Sequence, residues 1–403
     1  MQLVEQHIIN KADSRYVSID AAAFASKNLY NLANYHMRQA FIFQGIYLGY
    51  AEVYHLVKQE PAYQALPRKV SNDVLRLLDK NWKAFRKATE AYHEDPSKFL
   101  GRPSLPKYKH KTEGRNILVY DIQAVSKKGL KQGLVQPSQL GITIHTKQQH
   151  IKQVRIVPRK GYYVVEVVYE RKETQASVTP ALIASIDIGV NNLAAITSNK
   201  PGFTPHLVNG RPLKSVNQYY NKRKAELQKW VKNDHFTTRM ERMTIKRTRR
   251  IDHYLHTASK RIMELLVAEG IGTLIIGKNP FWKQEAEMRK KDKQHFVQLP
   301  HARFVDMLCY KARLVGIQVI LQEESYTSKA SFLDHDPIPT YGKVEQEPHF
   351  SGRRVKRGLY RASGKRYLNA DINGSYNILR KASPNGFSNG VEDVAVHPRR
   401  LAV

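Results

Sequence analysis

Two aspartates stand where rigid backbone can hold a carboxylate still. Asp187 lies in Ser185-Ile186-Asp187-Ile188-Gly189-Val190-Asn191-Asn192, at the end of an apolar run. Asp371 lies in Leu368-Asn369-Ala370-Asp371-Ile372-Asn373-Gly374-Ser375-Tyr376-Asn377-Ile378. An unpaired carboxylate at the end of a buried strand is costly and wants a metal or a cation. Gly189 lets the backbone turn close to a ligand. Each acid alone has a plainer account, Asp187 as a turn residue and Asp371 as a helix N-terminal acid stabilised by the dipole. Together they suit phosphodiester hydrolysis by two hard divalent ions roughly 4 Å apart, which needs clustered carboxylates on rigid elements.

The surrounding pattern supplies those elements. Leu182–Ile188 and Asn192–Ser198 read as strands, with a third near Phe203–Val208, and residues 214–268 form a long helical stretch rich in Arg and Lys. Thr273–Ile276 is a buried strand, Pro300–Val315 an amphipathic helix, Ile317–Leu321 a strand and Asp371–Lys381 a last helix. These assignments follow from periodicities of 2 and 3.6. Three strands, helix, strand, helix, strand, helix is the order of an RNase H-like α/β domain, with the two aspartates at either end.

Ahead of this domain, residues 21–60 and 71–95 read as helices. In the second, Val74, Leu77, Leu78, Asn81, Trp82, Phe85 and Ala88 recur at helical spacing, with Ser71 and Asn72 as caps. Prolines interrupt Phe99–Lys111, whose Arg102, Lys107, Tyr108 and Lys109 suit a phosphate backbone. From about Asn116 to Glu173 the runs ILVY, GITIHT, IKQVRIVP and GYYVVEVVYE read as strands of a small all-β module. Val17–Ile19 reads as a strand of the same module, which makes the first part of the chain a β-barrel with a helical insertion.

Composition narrows the partners. Lys and Arg number 66 against 35 Asp and Glu, a formal net charge of +31 over 403 residues. Self-repulsion on that scale favours a polyanionic partner, and nucleic acid leads. There is no basic amphipathic anchor, lipidation motif, signal peptide or bilayer-length apolar run, so a soluble intracellular protein is expected. A single cysteine, Cys309, excludes an intrachain disulfide framework and a multi-cysteine zinc ribbon.

The ordered motifs IDIGVNN, LIIGKNPFWKQE, VQLPHARFVDML, EESYTSKASFLD and NADINGSYNILRK resemble the RuvC-type nuclease half of the TnpB (OrfB) family. Those insertion-sequence proteins are relatives of type V CRISPR effectors. The Asn72–Ala88 helix, FLGRPSLPKYK and VVEVVYE extend the resemblance over nearly the whole chain. It implies an RNA-guided, divalent-metal-dependent DNA endonuclease, with a noncoding guide RNA and double-stranded target DNA as partners. The protein would read a short motif beside the target while base pairing reads sequence, as in Cas9-type effectors. Implied cofactors are two Mg²⁺ ions, with Mn²⁺ an alternative, and no zinc; the implied location is the bacterial cytoplasm, at the nucleoid.

The resemblance also implies a domain plan. Residues 1–20 would open a wedge-like β module, 21–95 form a helical recognition domain and 96–177 complete the β module. Residues 178–385 would be the RuvC-like nuclease domain, with a helical insertion at 214–268 and a cysteine-free loop at 335–370. A tail follows at 386–403. Asp187 would be the first RuvC carboxylate and Asp371 the third.

The chain departs from the family pattern twice. The usual second carboxylate, a Glu directly after the fourth strand, is replaced by Gly277. Either the chain binds without cutting, or another acid has moved in. Glu323 and Glu324, after the strand Ile317–Leu321, are candidate ligands for this role, alternation sending them to opposite faces. Asp334 and Asp336 read as loop acids. The second departure is the missing zinc ribbon: Ala330 stands where a cysteine is expected, and His335 and His349 cannot build a tetrahedral structural site alone. A basic hairpin around Gly352–Gly364 is expected instead.

Two more clusters suit phosphates. The first is Lys222, Arg223, Lys246, Arg247, Arg249 and Arg250, interleaved with Tyr219, Tyr220, Trp230 and Tyr254, of which Trp230 is expected in the core. The second is Arg353, Arg354, Lys356 and Arg357. A transposase using covalent Tyr chemistry is disfavoured because no His-x-His pair occurs. A Holliday-junction resolvase is compatible with the fold alone, but accounts less well for the helical insertion and β module.

Overall fold

The structure, a computed structural model, describes residues 1–231, 237–278, 297–342, 348–356, 358–387 and 397–403. The chain divides into two compact units, Met1–Arg171 and Lys172–Val403.

In the first unit, β1 (Gln2–Asn10) precedes the helices α1 (Tyr16–Gln44), α2 (Tyr50–Val57), α3 (Pro61–Gln64) and α4 (Arg68–Glu94). Next come β2 (Leu118–Asp121), α5 (Lys127–Lys131), β3 (Leu134–Val135), β4 (Ile144–His145), β5 (Ile151–Arg159) and β6 (Tyr162–Glu170). Four strands make an antiparallel sheet in the order β1-β6-β5-β2, and β3 pairs with β4 in a separate two-stranded sheet. Alternating β-branched residues of β5 and β6 pack on Ile19 and Ala23 of α1. A separate helical core gathers Leu29, Met37, Val53, Val74, Leu78 and Trp82, whose indole donates to Asn34 Oδ1 at 3.0 Å.

Three expectations are corrected here. The sheet is open, with β1 and β2 at its edges, and no closed barrel forms. Val17–Ile19 lies inside α1, and the strand that precedes the helices is Gln2–Asn10. Helix α4 starts just after Pro67, whose fixed φ suits a helix entry. Ser71 is therefore no cap: it is buried and donates to Tyr63 O at 2.7 Å, while Asn72 Oδ1 accepts from Tyr63 Oη at 2.7 Å.

The second unit runs β7 (Thr179–Asp187), β8 (Asn192–Ser198), β9 (His206–Asn209), α6 (Arg211–Gln228), α7 (Thr238–Ala268), β10 (Ile271–Gly277), α8 (His301–Leu314) and β11 (Gln318–Gln322). It continues with β12 (Arg353–Lys356), β13 (Leu359–Arg361), β14 (Tyr367–Asn369), α9 (Ala370–Ala382) and β15 (Arg399–Leu401). The main sheet has the order β11-β10-β7-β8-β9-β15. Strands β10 and β11 run parallel to β7, whereas β8 is antiparallel to both neighbours. The C-terminal tail thus contributes a strand, β15, parallel to β9.

Alternation along β7 decides what each side chain meets. Ala184 and Ile186 join the apolar core formed with α7 and α8, including Leu255, Ile262, Phe304 and Leu308. Ser185 and Asp187 point the other way, toward α9. There Ser185 Oγ donates to Ser375 O at 2.7 Å, and Ser375 Oγ donates to Ser185 O at 3.0 Å. Thr197 Oγ1 lies 2.9 Å from Ser375 Oγ. A buried hydroxyl left unpaired would cost about 1–3 kcal/mol, so this closed network fixes α9 to the sheet in one position.

Candidate active site at the end of the central sheet

Helix α9 meets the sheet end closely because residue 374 is a glycine. A Cβ there would stand 2.8 Å from Asp187 Oδ2, closer than packed atoms tolerate. One turn earlier, the Asn369 side chain caps α9 by accepting from the amides of Asp371 and Ile372 at 2.9 and 3.2 Å. This cap presents Asp371 in the first turn, where the helix dipole favours its charge. Asp371 Oδ2 accepts from Asn192 Nδ2 at 2.7 Å, and its Oδ1 faces Arg354 Nη2 at 3.1 Å.

The third acid comes from beyond β11. Gly277 ends β10 and pairs with Gln322 of β11, one residue past the Ile276–Ile186 pair. A Cβ built on Gly277 would lie 3.3 Å from both Cδ and Oε2 of Glu324. The same Cβ would meet Ile378 Cδ1 at 2.6 Å, so Ile378 and Glu324 together line the space that a side chain at position 277 would enter. Glu323 is turned elsewhere: its carboxylate accepts from Lys381 Nζ at 2.6 Å and from the Ser325 amide at 2.6 Å. The structure brings Asp187, Asp371 and Glu324 to one end of the sheet and ties Glu323 into an ion pair beside it.

These carboxylates repel one another. Burial, then the charges of Glu324 and Asp371, lift the Asp187 pKa well above the usual carboxylate range, with Arg354 opposing. Burial and the neighbouring Glu323 push Glu324 up to about 7, with Lys381 opposing. Such an all-oxygen, charge-crowded donor set suits a hard divalent cation. As the side chains stand, no group of three or more His, Cys, Asp or Glu among the described residues is close enough to hold an ion.

The basic candidates divide by environment. Arg102, Lys107, Tyr108 and Lys109 are exposed, and the Lys109 backbone is fastened to Asn31 of α1 at 2.8 and 2.9 Å. Lys222, Lys246, Arg249, Arg250, Arg353 and Lys356 are also exposed. Arg223 is paired with Glu226 at 2.5 Å. Arg247 turns inward: its Nε donates to Asn217 Oδ1 at 2.6 Å and its guanidinium lies over the Tyr220 ring. Burial lowers its pKa. Arg354 reaches the carboxylates, and Arg357 lies outside the described residues. Trp230 corrects the sequence expectation of a core residue, because in the turn just past α6 it is 89% exposed. Tyr220 and Tyr254 are half-buried, the latter donating to Asn209 O.

Comparisons with known proteins bear on the same stretches. Residues 166–282 match the OrfB_IS605 model, described as a probable transposase, and residues 301–378 match the Cas12f1-like TNB domain. A TnpB-like protein of Acidianus two-tailed virus is 27% identical over 235 residues, covering 56% of this chain. In these stretches the chain is similar to TnpB-like proteins and to a domain of the type V effector Cas12f1. The match spans 47% of that viral relative's length. The mixed α/β fold is similar to that of Cas12f1 solved by electron cryomicroscopy with a guide RNA and target DNA. That comparison gives a TM-score of 0.53 and 14% identity, and covers 89% of this chain and 82% of the other.

Hydrogen bonds tie the cysteine-free loop. Buried Asp336 accepts from the amides of Ser331 and Ser351 at 2.8 and 3.0 Å, and Asp334 accepts from Ser331 Oγ at 2.6 Å and Ser363 N at 2.9 Å. Ala330 is buried, and its carbonyl accepts from Asn373 and Asn377 of α9 at 2.8 and 2.7 Å. Strands β12, β13 and β14 form a small antiparallel sheet that carries Arg354 to Asp371. Sequence reasoning gave no role to Asn192, Lys381 or Gly374. Gly374 had a signal: a glycine inside a helix costs about 1 kcal/mol and implies a close approach.

Proposed function

We propose that this protein is an RNA-guided, divalent-metal-dependent DNA endonuclease of a mobile element, in which Glu324 replaces the acid absent at Gly277. The observation that carries the reading is the Glu324 carboxylate at 3.3 Å from the Cβ position of residue 277. Glu324, two residues past the end of β11, borders the space that an acid at 277 would use. The order β9-β8-β7-β10-β11, antiparallel then parallel around β7, supports an RNase H-like, RuvC-type domain. The charge of +31 supports guide RNA and target DNA as partners, with pairing reading sequence and the protein reading a short adjacent motif.

Asp187, Glu324 and Asp371 would hold the divalent ions, Mg²⁺ or Mn²⁺. A bound pair of ions activates water and stabilises the leaving oxygen. The chain's own residues prepare the site. Asn192 orients Asp371, Gly374 lets α9 press against Asp187, and Lys381 keeps Glu323 out of competition with Glu324. Arg354 balances the crowded charge from the hairpin side.

A non-cleaving, RNA-guided binder is the second reading. It is favoured by Gly277 itself and by the absence, among the described residues, of a ready-made cluster of three ligands. Guided cleavage of a matched target in Mg²⁺ separates the two. The nuclease reading expects cutting by wild type and none by Asp187→Ala. Tight guided binding without cutting by wild type would leave the binder.

A further inference from the structure

Helix α6 carries one large exposed ring, and a second stands two residues past its C-terminal end. Tyr219 is 65% exposed and Trp230 89% exposed. Nine residues of helix, about 14 Å along the axis, lead from Tyr219 to the helix end at Gln228, and Trp230 follows in the turn. Arg211, Lys222 and Lys229 are exposed on the same side, and the Glu226 charge there is offset by its pairing with Arg223. Rings left in water beside cations have the composition that meets unpaired nucleotides. Stacking accepts any base, and the cations neutralise phosphates.

Helix α6 also begins beside the carboxylates. The Gly210 amide donates to Asn191 O at 2.8 Å, and Lys214 Nζ lies 3.4 Å from Asn191 Oδ1. The next residue, Asn192, donates to Asp371. The outer face thus leads away from the sheet end that holds the acids.

We propose that the exposed surface running from Arg211 along α6 to Trp230, just past the helix end, is a track for unpaired nucleic-acid strands. Tyr219 and Trp230 stack bases, while Arg211, Lys222 and Lys229 neutralise phosphates. The track rests on the nuclease reading only for which strand runs along it, and its binding chemistry does not require cutting. A buried aromatic would be lost to structure on substitution, but these two can be truncated without touching a core.

The test titrates the full-length chain, in EDTA, with an oligothymidylate strand, an oligouridylate strand of the same length and a blunt DNA duplex. Anisotropy reads affinity, and intrinsic tryptophan fluorescence reads stacking on the indole. Wild type binds both single strands with quenching. Trp230→Ala and Tyr219→Ala each lose roughly 5- to 100-fold in single-strand affinity, and Trp230→Ala loses most of the quenching. Duplex affinity is unchanged, and thermal melts match wild type. Unchanged single-strand affinity in both variants, or an equal loss on strand and duplex, overturns the track. So does a self-association abolished by Trp230→Ala in sedimentation, which would assign the ring to a second copy of the chain. A wild type that fails to cut yet shows the Trp230-dependent quench would overturn the nuclease reading and leave the track standing.

Discussion

The end of the central sheet and the outer faces of α6 and α7 use charge in opposite ways. At the sheet end, like charges are crowded together out of water, and burial lifts Asp187 and Glu324 far from their ordinary ionisation. On the helices, cations such as Lys222, Lys246 and Arg250 stand in solvent. The first arrangement costs stability unless a cation arrives, so it points to a specific ligand and a reaction. The second costs little and recruits a polyanion without reading its sequence. Position in the fold decides which role a residue takes: Lys246 and Arg247 are chain neighbours, yet one is exposed and the other holds Asn217.

The largest effect on cutting expected at the sheet end comes from Gly374→Ala. Its Cβ would meet Asp187 Oδ2 at 2.8 Å, and α9 cannot retreat without breaking the Ser185–Ser375 network. A loss of about 1–3 kcal/mol in chemical denaturation is expected, together with loss of cutting. Wild-type stability in this variant would show that α9 is not pressed against the site.

Next in size is the pH dependence of Glu324→Gln without metal. The folded-state pKa of Glu324 is raised, so the native state holds a proton that the unfolded chain releases near pH 4.5. Stability from this group is therefore present at low pH and lost as pH rises through about 7. Glu324→Gln should be more stable than wild type at pH 8 in EDTA, by about 3 kcal/mol in chemical denaturation, with the difference vanishing near pH 4.5. A difference that grows toward low pH would reverse the sign and contradict the burial of this acid.

The smallest effect separates the helix neighbours. Lys246→Ala should leave the melting temperature alone and reduce the salt slope of nucleic-acid binding by about 1. Arg247→Ala should do the reverse, costing stability because Asn217 and the Tyr220 face lose their partner. Identical behaviour of the two variants would erase the contrast.

Much of the second unit was legible because its strands are apolar runs bounded by Gly and polar turns, and its helices keep a 3.6 period. Asp187 and Asp371 were readable from their motifs. The choice between Glu323 and Glu324 was not. It depends on β11 ending at Gln322 and on Lys381, distant in sequence, capturing Glu323. Trp230 was misassigned to the core because an aromatic at helical spacing usually packs, and only the three-dimensional course of α6 shows nothing over it among the described residues. The first strand was missed because in Gln2–Asn10 the apolar pairs Leu3-Val4 and Ile8-Ile9 are split by the polar run Glu5–His7 and keep no period of 2, whereas Val17–Ile19 imitates a β-branched run inside α1. Strand β15 has three residues, two of them arginines, and carries no periodic signal.

The central claim is that Glu324 supplies the acid missing at Gly277. It is tested most directly by guided cleavage of a matched target in Mg²⁺ by Glu324→Gln and Glu323→Gln side by side. Loss of cutting in Glu324→Gln, with Glu323→Gln still active, is the predicted result. Full activity in Glu324→Gln would contradict it.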